Sequence, residues 1–150
     1  MIDIRYAEAA DEAFWRRLDR HLPADGFSEK VRTETAYVLT LDGEPIGLMR
    51  YNLFWDSIPF CTLLYIDPAH QRQGYGRRLM AHWEADMRAR GYDMVLTSTQ
   101  SDEEAQHFYR ALGYKDCGGL LIDLPGHAQP TELFLVKAIG VPVGEPDCFK

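Results

Sequence analysis

Gln71-Arg72-Gln73-Gly74-Tyr75-Gly76 is the stretch whose residue types and spacing point most directly to chemistry. It follows an apolar run, Phe60 to Ile66, closed by Asp67-Pro68, and it opens a segment with helical periodicity, Gly76 to Arg90. A strand that passes through a glycine loop into a helix start makes an anion site. Backbone N–H groups point at the ligand, and the helix dipole favours negative charge. Glycine carries no Cβ, so the backbone can approach a ligand closely. The expected ligand is a phosphate or pyrophosphate. Leu79 stands where a dinucleotide fingerprint needs its third glycine, and no Gly-Lys-Ser/Thr follows, which excludes a P-loop. What remains is Gln-x-x-Gly-x-Gly behind a strand, a pattern that an ordinary strand-to-helix turn also satisfies.

Charge supports the anion reading. The chain of 150 residues has a formal net charge of −7, which argues against nucleic acid as a partner. Against that background Arg72, Arg77 and Arg78 gather beside the glycine loop. Cations at a helix start oppose the dipole, so an anionic ligand is the better reason for them than solvation. No apolar run reaches the ~20 residues of a membrane helix. The first residues lack the features of a signal peptide, and Cys61, Cys117 and Cys148 suit reduced thiols; a cytoplasmic protein is expected. No cysteine or histidine spacing suggests a metal, and no Gly-x-Ser-x-Gly suggests a hydrolase.

A second segment, Ser101 to Tyr114, carries Ala105, Phe108, Tyr109, Gly113 and Tyr114 in the spacing Ala-x-x-Phe-Tyr-x-x-x-Gly-Tyr. With the glycine loop before it, this resembles the two signatures of the GNAT superfamily of N-acetyltransferases, in their order and at about their spacing. The resemblance spans Met1 to about Ala138 and is specific from Phe60 to Tyr114. It implies an acetyl-CoA-dependent acyltransferase with no metal. Gln71, Arg72, Gln73, Gly74, Tyr75, Gly76 and Arg77 would cradle the pyrophosphate. Tyr65 and Ile66, on the strand before the loop, would offer backbone groups to the pantetheine arm and the thioester carbonyl. Tyr109 would protonate the departing thiolate, since a phenol of pKa ~10 is protonated at neutral pH. Asp102 stands where the family usually has Asn, which puts one side-chain contact in doubt.

The expected acceptor is a primary amine on a small molecule. Alternatives are a protein or peptide N-terminus or lysine, and a non-catalytic acyl-CoA-binding module. A homodimer is compatible with the resemblance. The general base is not found in the sequence: Phe60 to Ile66 has no carboxylate, which leaves a water chain or, weakly, Asp56, itself better suited to a turn. His70, which precedes the loop and could face phosphate, reads better as solvated in a turn; His107 reads as solvated, and Cys61 and Cys117 as small core residues. Phe54, Trp55, Ile58, Pro59 and Phe60 form an aromatic-rich stretch that suits either an apolar acceptor surface or a buried hairpin corner.

These residues need a scaffold. Met1–Ala7 reads as a strand, Asp11–Leu22 as a helix ended by Pro23, and Ala24–Thr33 as a loop or short helix. Tyr37–Leu41 and Pro45–Phe54 flank Asp42-Gly43, a type I′ hairpin pair. Trp55–Pro59 reads as a loop and Phe60–Ile66 as a central strand covered on both faces. The helix from Gly76 turns Leu79, Met80, Trp83 and Met87 inward and stops at Gly91. Met94–Thr99 is the next strand. Ser101 and Glu104 suggest a capping box for a helix burying Ala105, Phe108 and Leu112. Lys115–Asp123 and Glu132–Lys137 are closing strands joined by Leu124–Thr131. The fold expected is mixed α/β: a mostly antiparallel central sheet with helices on both faces and, from the resemblance, splayed central strands. One domain, residues 1–138, precedes a loose tail, residues 139–150.

Overall fold

The computed structural model describes residues 1–140. The expected tail falls almost wholly on residues 141–150, outside the described residues, as does Cys148. Seven strands form one sheet in the order β1-β2-β3-β4-β5-β7-β6. β1 (Ile2–Tyr6), β2 (Ala36–Leu41), β3 (Glu44–Phe54) and β4 (Ile58–Ile66) run antiparallel in sequence order. β5 (Met94–Gln100) lies parallel to β4, and β7 (Glu132–Ala138) lies between β5 and the edge strand β6 (Lys115–Leu120), antiparallel to both. The mixed, mostly antiparallel sheet is the one expected.

Period-two alternation sorts side chains between two helical layers. Tyr37, Leu39, Met49, Cys61 and Val95 face α3 (Tyr75–Ala89) and α4 (Ala105–Ala111). Val38 and Leu48, one step along, face α1 (Glu12–Leu18) and α2 (Gly26–Arg32). α3 buries Leu79, Met80, Trp83 and Met87, as its periodicity predicts, and its C-terminus is followed by Gly91 at φ 95°. α1 and α2 pack on the β2–β4 half of the sheet only.

Several boundaries differ from expectation, each for a local reason. α1 stops at Leu18, because Asp19 leaves the helix at φ −108° and ψ 106° and turns its carboxylate inward. There it accepts from Trp15 Nε1 (3.0 Å), Arg50 Nε (2.7 Å) and the backbone N–H of His21 (3.1 Å). Leu22 packs on the core from outside the helix. The β3–β4 connection is a tight turn with Trp55 at φ 54° and Asp56 at φ 60°, so β4 begins at Ile58 and not after Pro59. The capping box is not formed: α4 starts at Ala105, and Gln106 Nε2 instead donates to the carbonyls of Ser101 and Glu103. Cys117 is exposed on β6 and is not a core residue.

The Asp19 site carries a pH prediction. Burial pushes its carboxyl up, but Arg50, the His21 amide and Trp15 together hold it below the ordinary range. A depressed carboxylate stabilises the fold above its unfolded pKa, ~3.9, and that stability is lost as pH falls through the lower folded value. Thermal melts followed by circular dichroism should show Tm dropping below about pH 4. The drop should be shallower in Asp19→Asn, which is less stable at pH 7 but has nothing to titrate at this position. Equal acid slopes in the two proteins would refute the assignment.

Candidate functional site

β4 and β5 are stitched by only two register pairs, Phe60 with Leu96 and Cys61 with Thr97. Beyond them β4 continues to Ile66 and β5 to Gln100, so the strands part and leave an open edge in the middle of the sheet. The register of β3 against β4 shifts at the same point: Arg50 pairs with Leu63 and Tyr51 with Cys61, so Thr62 is an extra residue, a bulge. The bulge and the splay are both visible in the backbone.

Which backbone groups face the opening follows from the ladder. Asp67 N–H donates to Ile46 C=O at 2.8 Å, which makes this a hydrogen-bonded pair. Alternation then turns the backbone groups of Tyr65 and Leu63 towards β3, and those of Ile66 and Leu64 towards the opening. This corrects one expectation: Leu64, not Tyr65, shares the open edge with Ile66. One residue of slip was enough to misassign it, because the bulge at Thr62 is invisible in an unbroken apolar run.

The open edge leads to an unguarded helix start. Gly74 sits at φ 86° as the N-cap of α3, and no side chain caps it. The first backbone bond of the helix from this end is Arg78 N–H to Gly74 C=O, 3.2 Å. The first-turn amides before it have no intrahelical acceptor. Arg72 is also left-handed, at φ 63°, which curls the loop ahead of the helix. Gln71 Nε2 donates to Ile66 C=O at 2.8 Å and ties the loop to β4.

A cleft of about 600 Å³ joins these parts. Tyr65, Ile66, Gln71, Arg72, Gly74, Tyr75, Gly76 and Arg77 line it; Gln73 is exposed beside it and does not. Arg78 lies outside it, and none of Arg72, Arg77 and Arg78 makes a salt bridge among the described residues. Leu64, His70 and Phe108 also line it. His70 Nδ1 is buried there with no hydrogen-bond partner, contrary to its reading as a solvated residue. His107 is exposed, near Glu104.

Tyr109 does not line the cleft. It is only 7% exposed and stands behind the strand seam, its ring 5.7 Å from that of Tyr114. Burial, then the neighbouring Cys61, pushes its hydroxyl well above the ordinary phenol value, while Thr97 lowers it. Thr97 Oγ1 donates to Cys61 C=O at 3.2 Å. Thr99, two residues further on the same side of β5, has its Oγ1 buried without a partner. Sequence reading missed both threonines. The signal was there in Thr97-Ser98-Thr99: hydroxyls at buried positions of a central strand need a reason. Burial also pushes the Cys61 thiol up to about 12, so it is inert. Tyr114 is pinned by Glu84, which accepts its hydroxyl at 2.8 Å and Lys137 Nζ at 2.7 Å. Asp56 occupies the tip of the β3–β4 hairpin, five residues before Cys61 and outside β4. It is a turn residue.

The sequence profile of the acetyltransferase (GNAT) family matches residues 3–114. The chain belongs to the GNAT family and is an acetyltransferase. A sequence search of curated proteins finds no match. Among solved structures, the ribosomal-protein-S18-alanine N-acetyltransferase of Escherichia coli is similar at TM-score 0.73 and 18% identity, over 99% of this chain and 100% of that one. Ard1 of Thermoplasma volcanium is similar at TM-score 0.78 and 18% identity, over 91% and 97%. A GNAT acetyltransferase of Elizabethkingia anophelis with acetyl-CoA bound is similar at TM-score 0.72 and 14% identity, over 91% and 97%. No helix among the described residues is long and apolar enough to cross a membrane.

Proposed function

We propose that this chain transfers an acetyl group from acetyl-CoA to the primary amine of a small molecule. One observation carries the reading: an open strand edge at Leu64 and Ile66 runs into an uncapped helix start at Gly74–Arg77, with a protonated tyrosine behind the seam between them.

The residues fit the co-substrate. The first-turn amides of α3, with Arg72 and Arg77, suit a pyrophosphate. The backbone groups of Leu64 and the N–H of Ile66 face the opening and suit an amide-bearing chain, while Ile66 C=O is taken by Gln71. The buried His70 Nδ1 and Thr99 Oγ1 are polar atoms that lack hydrogen-bond partners among the described residues. As the amine nitrogen bonds to the acetyl carbon, the carbon–sulfur bond breaks. The sulfur gains a proton from Tyr109, and the proton given up by the nitrogen restores the tyrosine. With no carboxylate on β4, water is the relay for that proton.

The acceptor class rests on scale: the apolar groove beside the seam has a volume of about 650 Å³, the size of a small-molecule site. The fold does not choose, because the similar structures include the S18-alanine enzyme and an Arabidopsis thaliana Naa50 bound to a peptide-containing bisubstrate analogue. Thiol release from acetyl-CoA, measured with a panel of small amines and a panel of peptides, tests the reading. Turnover with amines and none with peptides is expected. Peptide-only turnover overturns the acceptor class, and no thiol release with any acceptor favours a non-catalytic acyl-CoA-binding role.

A further inference from the structure

On the face covered elsewhere by α1 and α2, the β5-β7-β6 half of the sheet carries an open groove. Leu96, Phe134, Val136 and Gly118 floor it, and Trp55 and Ile58 wall it. Among the described residues, no charged side chain lines it. We infer that this groove holds the body of the acceptor: an uncharged aromatic or branched aliphatic group, joined by a short linker to the reacting primary amine. The inference rests on the acetyltransferase reading above and names the substrate class for it.

Position is the first argument. Phe60 and Phe134 close the groove at the seam, ring centroids 5.8 Å apart, and Phe54 packs on both. Phe60 belongs to the seam itself, and Phe134 pairs with Ser98, the first residue of β5 beyond it. The apolar floor therefore ends where the strands part. Cross-strand partners share a face, so Ser98, Gln100 and Glu132 continue the same face past Phe134. The track is apolar behind and polar in front. A ligand seated along it has its amine at the parting of the strands and its apolar body behind.

Charge is the second argument. A polyamine or amino sugar brings several ammonium groups, and an amino acid brings a carboxylate. Desolvating either in this groove is unfavourable, because nothing there pairs with them. An apolar body gains from leaving water. Trp55 adds a third observation: a bulky residue is 61% exposed on the groove wall while held in a left-handed backbone conformation. Strain of this kind concentrates at ligand-handling positions.

The test uses 2-phenylethylamine, 1,4-diaminobutane and glutamate as acceptors, with thiol release as one readout and tryptophan emission as another. Trp15 and Trp83 are fully buried, so a saturable emission change reports on Trp55. The blocking variant is Gly118→Leu: a Cβ there meets nothing within 4 Å, and the backbone is not in a glycine-only conformation, so the fold is kept. We expect kcat/KM for 2-phenylethylamine at least tenfold above that of both polar amines, with saturable emission quenching. Gly118→Leu should lower both at least tenfold and leave acetyl-CoA affinity unchanged. Equal or better turnover of the polar amines overturns the inference while the acetyltransferase reading stands. If Gly118→Leu is silent towards 2-phenylethylamine but shifts a monomer–dimer equilibrium, the groove is an interface between copies and the inference falls. It falls equally if removing residues 141–150 is needed before any amine binds. Saturable, Gly118-dependent quenching without thiol release from any amine keeps the groove assignment and overturns catalysis instead.

Discussion

Tyr109→Phe is expected to lower the single-turnover rate of acetyl transfer by about 100-fold, with acetyl-CoA affinity nearly unchanged. The ring is buried and packs against Tyr114 and Phe108, so the phenylalanine keeps the packing and loses only the hydroxyl. In the proposed mechanism that hydroxyl serves only once the carbon–sulfur bond is breaking, so its loss should appear in kcat and not in ground-state binding. Because burial raises its pKa, the wild-type rate should show no loss from tyrosine ionisation below about pH 10. Single-turnover measurement is needed, since product release hides a chemical step when it limits turnover. A folded Tyr109→Phe enzyme with a wild-type single-turnover rate would remove Tyr109 from the mechanism and leave it a core aromatic.

Gly76→Val should weaken CoA binding by about 100-fold in calorimetry. The two loop glycines do different work. Gly74 is needed for its left-handed conformation, and substituting it strains the backbone. Gly76 has a helical backbone, and an added Cβ would lie 3.4 Å from Phe108 Cζ and 3.8 Å from Leu64 Cδ2, which the site tolerates. The variant should therefore fold. Its extra methyl groups enter the cleft and keep a phosphate from the first-turn amides. Losing one or two charge-assisted hydrogen bonds of ~1.5–3 kcal/mol each corresponds to this range. Unchanged CoA affinity in folded Gly76→Val would move the anion site elsewhere.

Local signals carried most of the scaffold. Asp42-Gly43 sits at φ 50° and 88°, as a two-residue hairpin turn requires, and the inward face of α3 follows from a clean 3.6-residue repeat. The errors arose where tertiary partners override local pattern. Asp19 ends α1 because Arg50, 31 positions later, draws its carboxylate inward. Trp55-Asp56 forms a tight turn without the glycine that would announce one. In the candidate site, the uncapped helix start behind a glycine loop was legible because glycine encodes its left-handed backbone at Gly74. The open edge was assigned one residue off, since a bulge leaves no mark in side-chain composition. The groove was an aromatic stretch with two equal readings until β7 supplied Phe134 to its floor.

A bare strand edge is normally a hazard, a template on which another protein's strand can add and begin an aggregate. One outer edge, β6, carries the usual protection: Lys115, Asp116 and an irregular register. The interior edge of β4 has no such guards, yet its setting protects it. It lies between two strands that remain joined at Phe60 and Cys61, so the gap narrows to nothing at one end. An invading polypeptide would have to push every second side chain into the layer that α3 and α4 form on one side of the sheet. A slender, unbranched chain bearing amides meets no such obstacle. The two-pair seam thus acts as a steric filter, and the protein keeps an unpaired β edge at its centre without exposing it to its neighbours.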